Sequence, residues 1–313
     1  MDLQTISYII VGGSAVLMVI LERLFPYTKG QKLFREGFFY DFILYTVVQS
    51  YLLGLIIFGL LNWIKADTDL YKYSVMENLG IPIWAQFLFF FVTHDLYIYW
   101  FHRWQHNNSF LWRTHEAHHS PRTVDWLSGS RSHALEILIN QTVEFAPIIL
   151  LGAAPEIAIM KGTVDAVWGM FIHSNIDVRL GKLQYFINGP EMHRWHHSDD
   201  EGREYQNNYG TKLAIWDWMF GTAFYPNPDE RKPIKYGLSD TPDYPLSHLT
   251  WHDFKNMDTA GKDMHNAAEA NNRRTFGGRI VHFFKVIFID SFVYLKQHLF
   301  AFRSFKDDKY VGE

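Results

Sequence analysis

Residues 95–120 read DLYIYWFHRWQHNNSFLWRTHEAHHS, an aromatic stretch that runs directly into two histidine clusters. The clusters are His102-Arg-Trp-Gln-His106 and His115-Glu-Ala-His118-His119, and a third follows at His193-Arg-Trp-His196-His197. Residues three and four apart share one face of a helix, so each cluster aims its imidazoles in one direction. Neutral imidazole is a ligand for iron, zinc and copper, whereas calcium and magnesium prefer oxygen. A single ion rarely takes more than about six protein ligands. Eight clustered imidazoles therefore predict two metal ions held between helices.

Apolar runs lead up to this stretch. Leu3 to Leu21 carries no charge, and neither does Phe42 to Ile64. Asn78 to Thr93 is a third such run, continuing as an aromatic helix through Phe101. Each of the first two is long enough to approach or cross a hydrocarbon core of about 30 Å. The first lacks the basic lead-in and small-residue cleavage site of a secretory signal, so it reads as a retained membrane helix. Arg23, Lys29, Lys32 and Arg35 crowd the first loop, while Lys65 and Lys72 in the next are balanced by Asp67, Asp69 and Glu77. By the positive-inside rule the first loop is cytoplasmic, and the histidines begin on that same side.

Leu135 to Ala154 and Ile157 to Ile172 are weaker apolar stretches, interrupted by Glu136, Glu144, Lys161 and Asp165. The break at Gly152-Ala153-Ala154-Pro155 predicts a helical hairpin. Residues from about Tyr225 to Asn272 are polar, and Ile280 to Phe302 reads as an interfacial amphipathic helix. The expected organisation is membrane helices over 1–80, a histidine-rich catalytic unit over 81–224 and a C-terminal segment over 225–313. The expected fold is all-α: a polytopic, multi-pass membrane helical bundle with a cytoplasm-facing histidine cap. With no cysteine in 313 residues, disulfides, thiolate metal sites and cysteine nucleophiles are excluded. A net charge of −4 supplies no basic field for nucleic acid.

Other residues extend the site. Asp95 precedes His102 by seven positions and His106 by eleven, which places all three within roughly 40° on a helix. It is the candidate catalytic carboxylate, expected to orient a ligating imidazole by accepting its second N–H. His133 and His173 bracket the hairpin and are further candidate ligands, His173 the better one, while His94 points about 100° away from Asp95. His115-Glu116-Ala117-His118-His119 also spells H-E-x-x-H, so a membrane zinc metalloprotease with Glu116 as base is the competing enzyme reading. A non-catalytic metal-binding membrane protein is the third. Trp104, Trp112 and Trp195 flank the clusters and read as packing or interface residues rather than as a substrate path.

The ordered set resembles the fatty acid hydroxylase and sterol desaturase superfamily. It runs from Asp95-Leu-Tyr-Ile-Tyr-Trp-Phe-His102 and the first two clusters through Phe171-Ile-His173-Ser-Asn175 and the third cluster. Asn208-Tyr-Gly210 and Trp216-Asp-Trp-Met-Phe-Gly-Thr222 close it. The resemblance implies a membrane di-iron centre that uses dioxygen (O2) to hydroxylate or desaturate a lipid. It assigns the ligands to His102, His106, His115, His118, His119, His173, His193, His196 and His197, with His133 matching a histidine of some branches only. Gly189-Pro190-Glu191-Met192 stands where the family commonly has a Thr-Pro lead-in. No G-x-G-x-x-G loop and no His-Pro-Gly-Gly haem motif occurs, so a separate reductase, ferredoxin or b-type cytochrome is expected to supply electrons.

Overall fold

Several helix starts among the described residues follow local chemistry. The computed structural model describes residues 1–67, 75–199, 206–225, 233, 235–238 and 289. Among them the regular elements are all helical, with β-pairing limited to the isolated bridges Pro26–Ile176 and Ser198–Tyr236. Helix α1 (Leu3–Leu24) opens at Asp2, whose carboxylate accepts the Thr5 amide at 2.8 Å. Helix α2 (Tyr40–Asp67) is continuous, its first part (Tyr40–Leu52) wound as a π-helix. A short α3 (Val75–Asn78) precedes Pro82 and the long α4 (Ile83–Asn107).

Asn108 then breaks the chain and caps α5 (Ser109–His119), accepting the amides of Phe110 and Leu111. The predicted hairpin is α6 (Ala134–Leu150) and α7 (Pro155–His173), turned at Gly152 with φ +65 and restarted by Pro155 in the first turn. Two short helices follow, α8 (Pro190–His196) and α9 (Ile215–Phe220).

Packing brings the histidine-bearing ends together. Helix α1 lies along α7, the second half of α2 lies along α6, and α4 folds back on α5. Phe101, Trp104, Phe110 and Leu111 form the apolar hinge between α4 and α5. Met76, Phe90, Ile148, Ile157 and Ala158 join α4 to the hairpin. Tyr99, Trp100, Tyr209 and Phe220 dock α9 and the chain before it. Burying a large apolar side chain contributes about 1.5–3 kcal/mol, so these clusters dominate the positioning.

A buried ionic knot adds direction. Arg35 pairs with Asp41 and Asp125 at 2.7 and 2.8 Å, and Arg131 pairs with Asp41 at 2.7 Å. It ties the loop before α2 and the first turn of α2 to the segment between α5 and α6.

Helices α1 and α2 are long and apolar enough to cross a membrane. Their apolar side chains point outward, with Ile9, Val16, Ile56 and Trp63 all more than half exposed. An apolar surface of that extent suits a lipid environment. Helix α4 is different from the third apolar run expected. It begins after Pro82, exposes Trp84, Leu88 and Phe89 near its start, and buries Asp95 and everything from Tyr99 to His102. Polar Gln86, His94 and Asp95 lower its apolar character, and it spends its C-terminal half inside the protein rather than against lipid. The amphipathic stretch from Ile280 to Phe302 lies, apart from Ile289, outside the described residues, as do His248, His252, His265, His282 and His298.

Candidate metal centre

Nine imidazoles among the described residues fall into two groups. His102 and His106 from α4, His115 and His119 from α5 and His196 from α8 form the first. His118, His173, His193 and His197 form the second. Within each group the candidate ligand atoms all lie within 4.8 Å of one another.

Helix geometry explains the division. Neighbouring residues on a helix point about 100° apart, so each His-His doublet is split. His119 and His196 join the first group, while His118 and His197 join the second. The groups abut, with the His119 and His197 rings 4.5 Å apart at their centroids.

Hydrogen bonds fix the ring orientations. In the first group His102 Nδ1 donates to the Tyr209 carbonyl at 2.8 Å, and His196 Nδ1 to the Asn207 carbonyl at 2.7 Å. His115 Nδ1 meets Glu136 Oε1 at 2.8 Å. An acceptor oxygen requires the proton on Nδ1, which leaves a lone pair on Nε2. The Nε2 atoms of His102, His106, His115 and His196 are all buried with no hydrogen-bond partner among the described residues. Polar atoms so placed ordinarily have a partner.

The second group makes the same point by crowding. His118 Nδ1 donates to the Arg131 carbonyl at 3.1 Å and His173 Nδ1 to the Gly169 carbonyl at 2.8 Å, so both Nε2 atoms carry lone pairs. Yet these two Nε2 atoms are 3.2 Å apart, and His193 Nε2 lies 2.8 Å from that of His173. Two lone pairs at that distance repel unless a cation sits between them. Burial pushes His118 down to about 3 and holds His193 and His197 well below the usual imidazole range, which removes the proton as that cation. A metal ion fits: nitrogens each about 2.1 Å from a common ion at right angles are about 3.0 Å apart.

Other predicted residues land elsewhere. Asp95 is fully buried but accepts no imidazole N–H. Its oxygens take the Thr211 hydroxyl, the Lys212 and Leu213 amides and the Trp216 indole at 2.9–3.2 Å. The Tyr209 carbonyl takes the proton that Asp95 was expected to hold, so Asp95 acts through the chain segment it anchors. His133 joins neither group, because its Nδ1 accepts the Leu135 amide at 3.0 Å as the N-cap of α6.

Glu116 belongs to neither group and pairs with Arg113 at 2.5 Å. That is not the setting of a metalloprotease base, and His115 and His119 share their group with three more imidazoles. Trp112 packs its ring on His106 and His119, Trp104 is core, and Trp195 packs edge-on to Phe224.

Sequence reasoning passed over Glu136, treating it as an interruption of an apolar run. Its signal was that same charge, since an ionisable residue inside an apolar helix is functional by default. A cavity of about 280 Å³ lies against both groups, lined by His102 and His115 on one side and His118, His173 and His193 on the other.

Comparison with known proteins follows the same residues. The profile of the fatty acid hydroxylase family matches residues 87–222. An ornithine lipid hydroxylase of Rhizobium tropici is 30% identical over 245 residues, covering 76% of this chain and 72% of that protein. An alkylglycerol monooxygenase of Danio rerio is 29% identical over 227 residues, covering 60% of this chain. A methylsterol monooxygenase of Arabidopsis thaliana is 28% identical over 185 residues, covering 54% of this chain. The chain spans 49% of the alkylglycerol enzyme and 60% of the methylsterol enzyme. No solved structure matches the chain.

Proposed function

The chain belongs to the fatty acid hydroxylase family, and on that premise we propose that it is a membrane di-iron monooxygenase that hydroxylates a lipid with dioxygen. The carrying observation is the split of nine buried imidazoles into two adjoining groups, each with Nε2 atoms turned inward. Each group would hold one iron.

When bound, the iron pair supplies the oxidising power to break an unactivated C–H bond, which side-chain acid–base chemistry lacks. Overall, the lipid C–H and one oxygen atom become an alcohol. The other oxygen atom leaves as water, with two electrons and two protons taken up. The electrons come from a separate reductase, ferredoxin or b-type cytochrome. Desaturation is the variant outcome, in which two hydrogens leave the lipid and both oxygen atoms leave as water, with the same two electrons and two protons taken up.

The protein's part is positioning. Glu136 and the carbonyls of Tyr209, Asn207, Arg131 and Gly169 hold the imidazoles in one tautomer. The cavity gives part of a lipid access to both groups. The exposed apolar faces of α1 and α2 support a membrane setting, where that lipid resides, and the basic loop after α1 supports a histidine cap on the cytoplasmic side. The three relatives act, by their names, on an ornithine lipid, an alkylglycerol and a methylsterol, so a polar lipid is the substrate class.

Anaerobically purified, iron-loaded protein given a reductant, extracted membrane lipids and isotopically labelled dioxygen tests this. One labelled oxygen atom in a lipid hydroxyl is the expected result. Consumption of dioxygen with no oxidised lipid would refute it.

A further inference from the structure

The stretches Asn208-Tyr-Gly210 and Trp216 to Thr222 contain no histidine, yet together they support two rings of the first group. His196 Nδ1 donates to the Asn207 carbonyl, and His102 Nδ1 to the Tyr209 carbonyl two residues further on. The peptide group that carries each of these carbonyls also carries the next residue's N–H. What each N–H meets therefore bears on how strongly its carbonyl accepts.

The two N–H groups meet different partners. On the His196 side, Asn208 N–H donates to the neutral Thr222 carbonyl at 3.0 Å. On the His102 side, Gly210 N–H donates to Asp217 Oδ2 at 2.8 Å. Asp217 is fully buried, and its Oδ1 accepts the Tyr209 amide at 2.8 Å and the Thr222 hydroxyl at 2.7 Å. Burial pushes its carboxyl up to about 6, so it is ionised at neutral pH. The approach is tight, since a Cβ on Gly210 would stand 2.7 Å from Asp217 Oδ2. Asn208 holds the turn between the two carbonyls. Its φ of +53 lies in the left-handed region, and its side chain is fixed to the Met192 and Phe224 carbonyls and the Phe224 amide.

We infer that Asp217 is a positioning residue for the metal centre, acting through the Tyr209–Gly210 peptide group to orient and polarise the His102 imidazole. A charged acceptor at the N–H end draws electron density toward the carbonyl end, and hydrogen bonds in a chain strengthen one another. A stronger acceptor for His102 Nδ1–H makes Nε2 a better ligand, as Glu136 does for His115 by direct contact. Asp217 thus takes the part expected of Asp95, with one peptide group interposed. This rests on the reading that the first group holds an ion, and not on lipid oxidation.

Zinc, as a diamagnetic probe, allows a test by proton magnetic resonance on zinc-loaded protein with isotopically labelled histidine in nanodiscs. The Nδ1–H resonances of His102 and His196 are assigned by the loss of one signal in each alanine variant. In the wild type the His102 proton is expected downfield of the His196 proton, although its hydrogen bond is no shorter, 2.8 against 2.7 Å. Asp217→Asn keeps the side-chain shape and removes the charge. It should move the His102 proton upfield and leave those of His196 and His115 in place. By chelator competition it should weaken zinc at the first group about tenfold and leave the second unchanged. A wild-type His102 proton level with or upfield of that of His196 overturns the inference, whether or not Asp217→Asn folds. An unmoved His102 proton in Asp217→Asn also overturns it. So does equal movement of the His102 and His196 protons, the mark of a turn that has merely loosened. A wild type that takes up no metal sinks the metal-centre reading together with this one, whereas full metal with the wrong resonance order sinks this one alone.

Discussion

His115 Nδ1 stands 2.8 Å from Glu136 Oε1, and the second oxygen of that carboxylate accepts the Ser132 hydroxyl at 2.7 Å. The imidazole of α5 is thus steered from α6, twenty-one residues further along the chain. Carboxylates in this position raise the basicity of a ligating imidazole, and their loss typically costs 10–100-fold in metal affinity. Glu136→Ala is therefore expected to weaken iron binding at the first group by about that factor, read by chelator competition. Glu136→Gln should fall between, because an amide oxygen still accepts the His115 proton.

Gly129 makes a steric prediction. A methyl group there would sit 2.3 Å from His173 Nδ1, closer than real contacts allow. Gly129→Ala should displace the His173 ring and empty the second group first. Iron per chain should fall from two toward one. Retention of full iron by a folded Gly129→Ala protein would show that His173 is not a ligand.

Asp95 is predicted to act on stability and metal retention rather than on the chemical step. It satisfies two amides, an indole and a hydroxyl in full burial and lies 3.5 Å from the Lys212 ammonium. Removing one partner of a buried charge pair costs about 3–5 kcal/mol. Asp95→Ala should lower the thermal midpoint sharply and loosen the segment whose Tyr209 carbonyl orients His102. Turnover per bound iron in the surviving fraction should stay near the wild-type value. A loss of turnover per iron at normal stability would make Asp95 a participant in the chemistry.

How much of this was legible in the sequence depended on range. Periodicity within one helix is local, so the HxxxH and HxxHH spacings marked both the helices and the imidazoles that the structure brings together. The uncharged runs likewise marked α1 and α2. What lay hidden was long-range. Asp95 sat at the right angle for His102, but its partners Thr211 to Trp216 come more than a hundred residues later. His133 had a ligand's position in the chain, yet the N-terminus of α6 took its ring nitrogen as a cap. Glu136, Glu144, Lys161 and Asp165 read as blemishes in apolar helices. Only the packing of α4, α6 and α7 shows Glu136 holding the His115 ring, Glu144 and Asp165 lining the cavity, and Lys161 bridging those two carboxylates from behind.

Glu116 separates the oxygenase from the metalloprotease reading. A general base contributes about 10²–10⁴-fold, so a protease would be disabled by Glu116→Gln. With its carboxylate paired to Arg113 and outside both imidazole groups, the same substitution should here change lipid turnover less than about tenfold. Parallel assays of iron content and lipid oxidation decide it.

Metal analysis of the detergent-purified protein, expressed with iron and zinc both supplied, tests the central claim most directly. Two irons per chain are expected, falling to about one in His196→Ala and again in His193→Ala, since those residues belong to different groups. A single zinc per chain with no iron, unaffected by His193→Ala, would contradict the account.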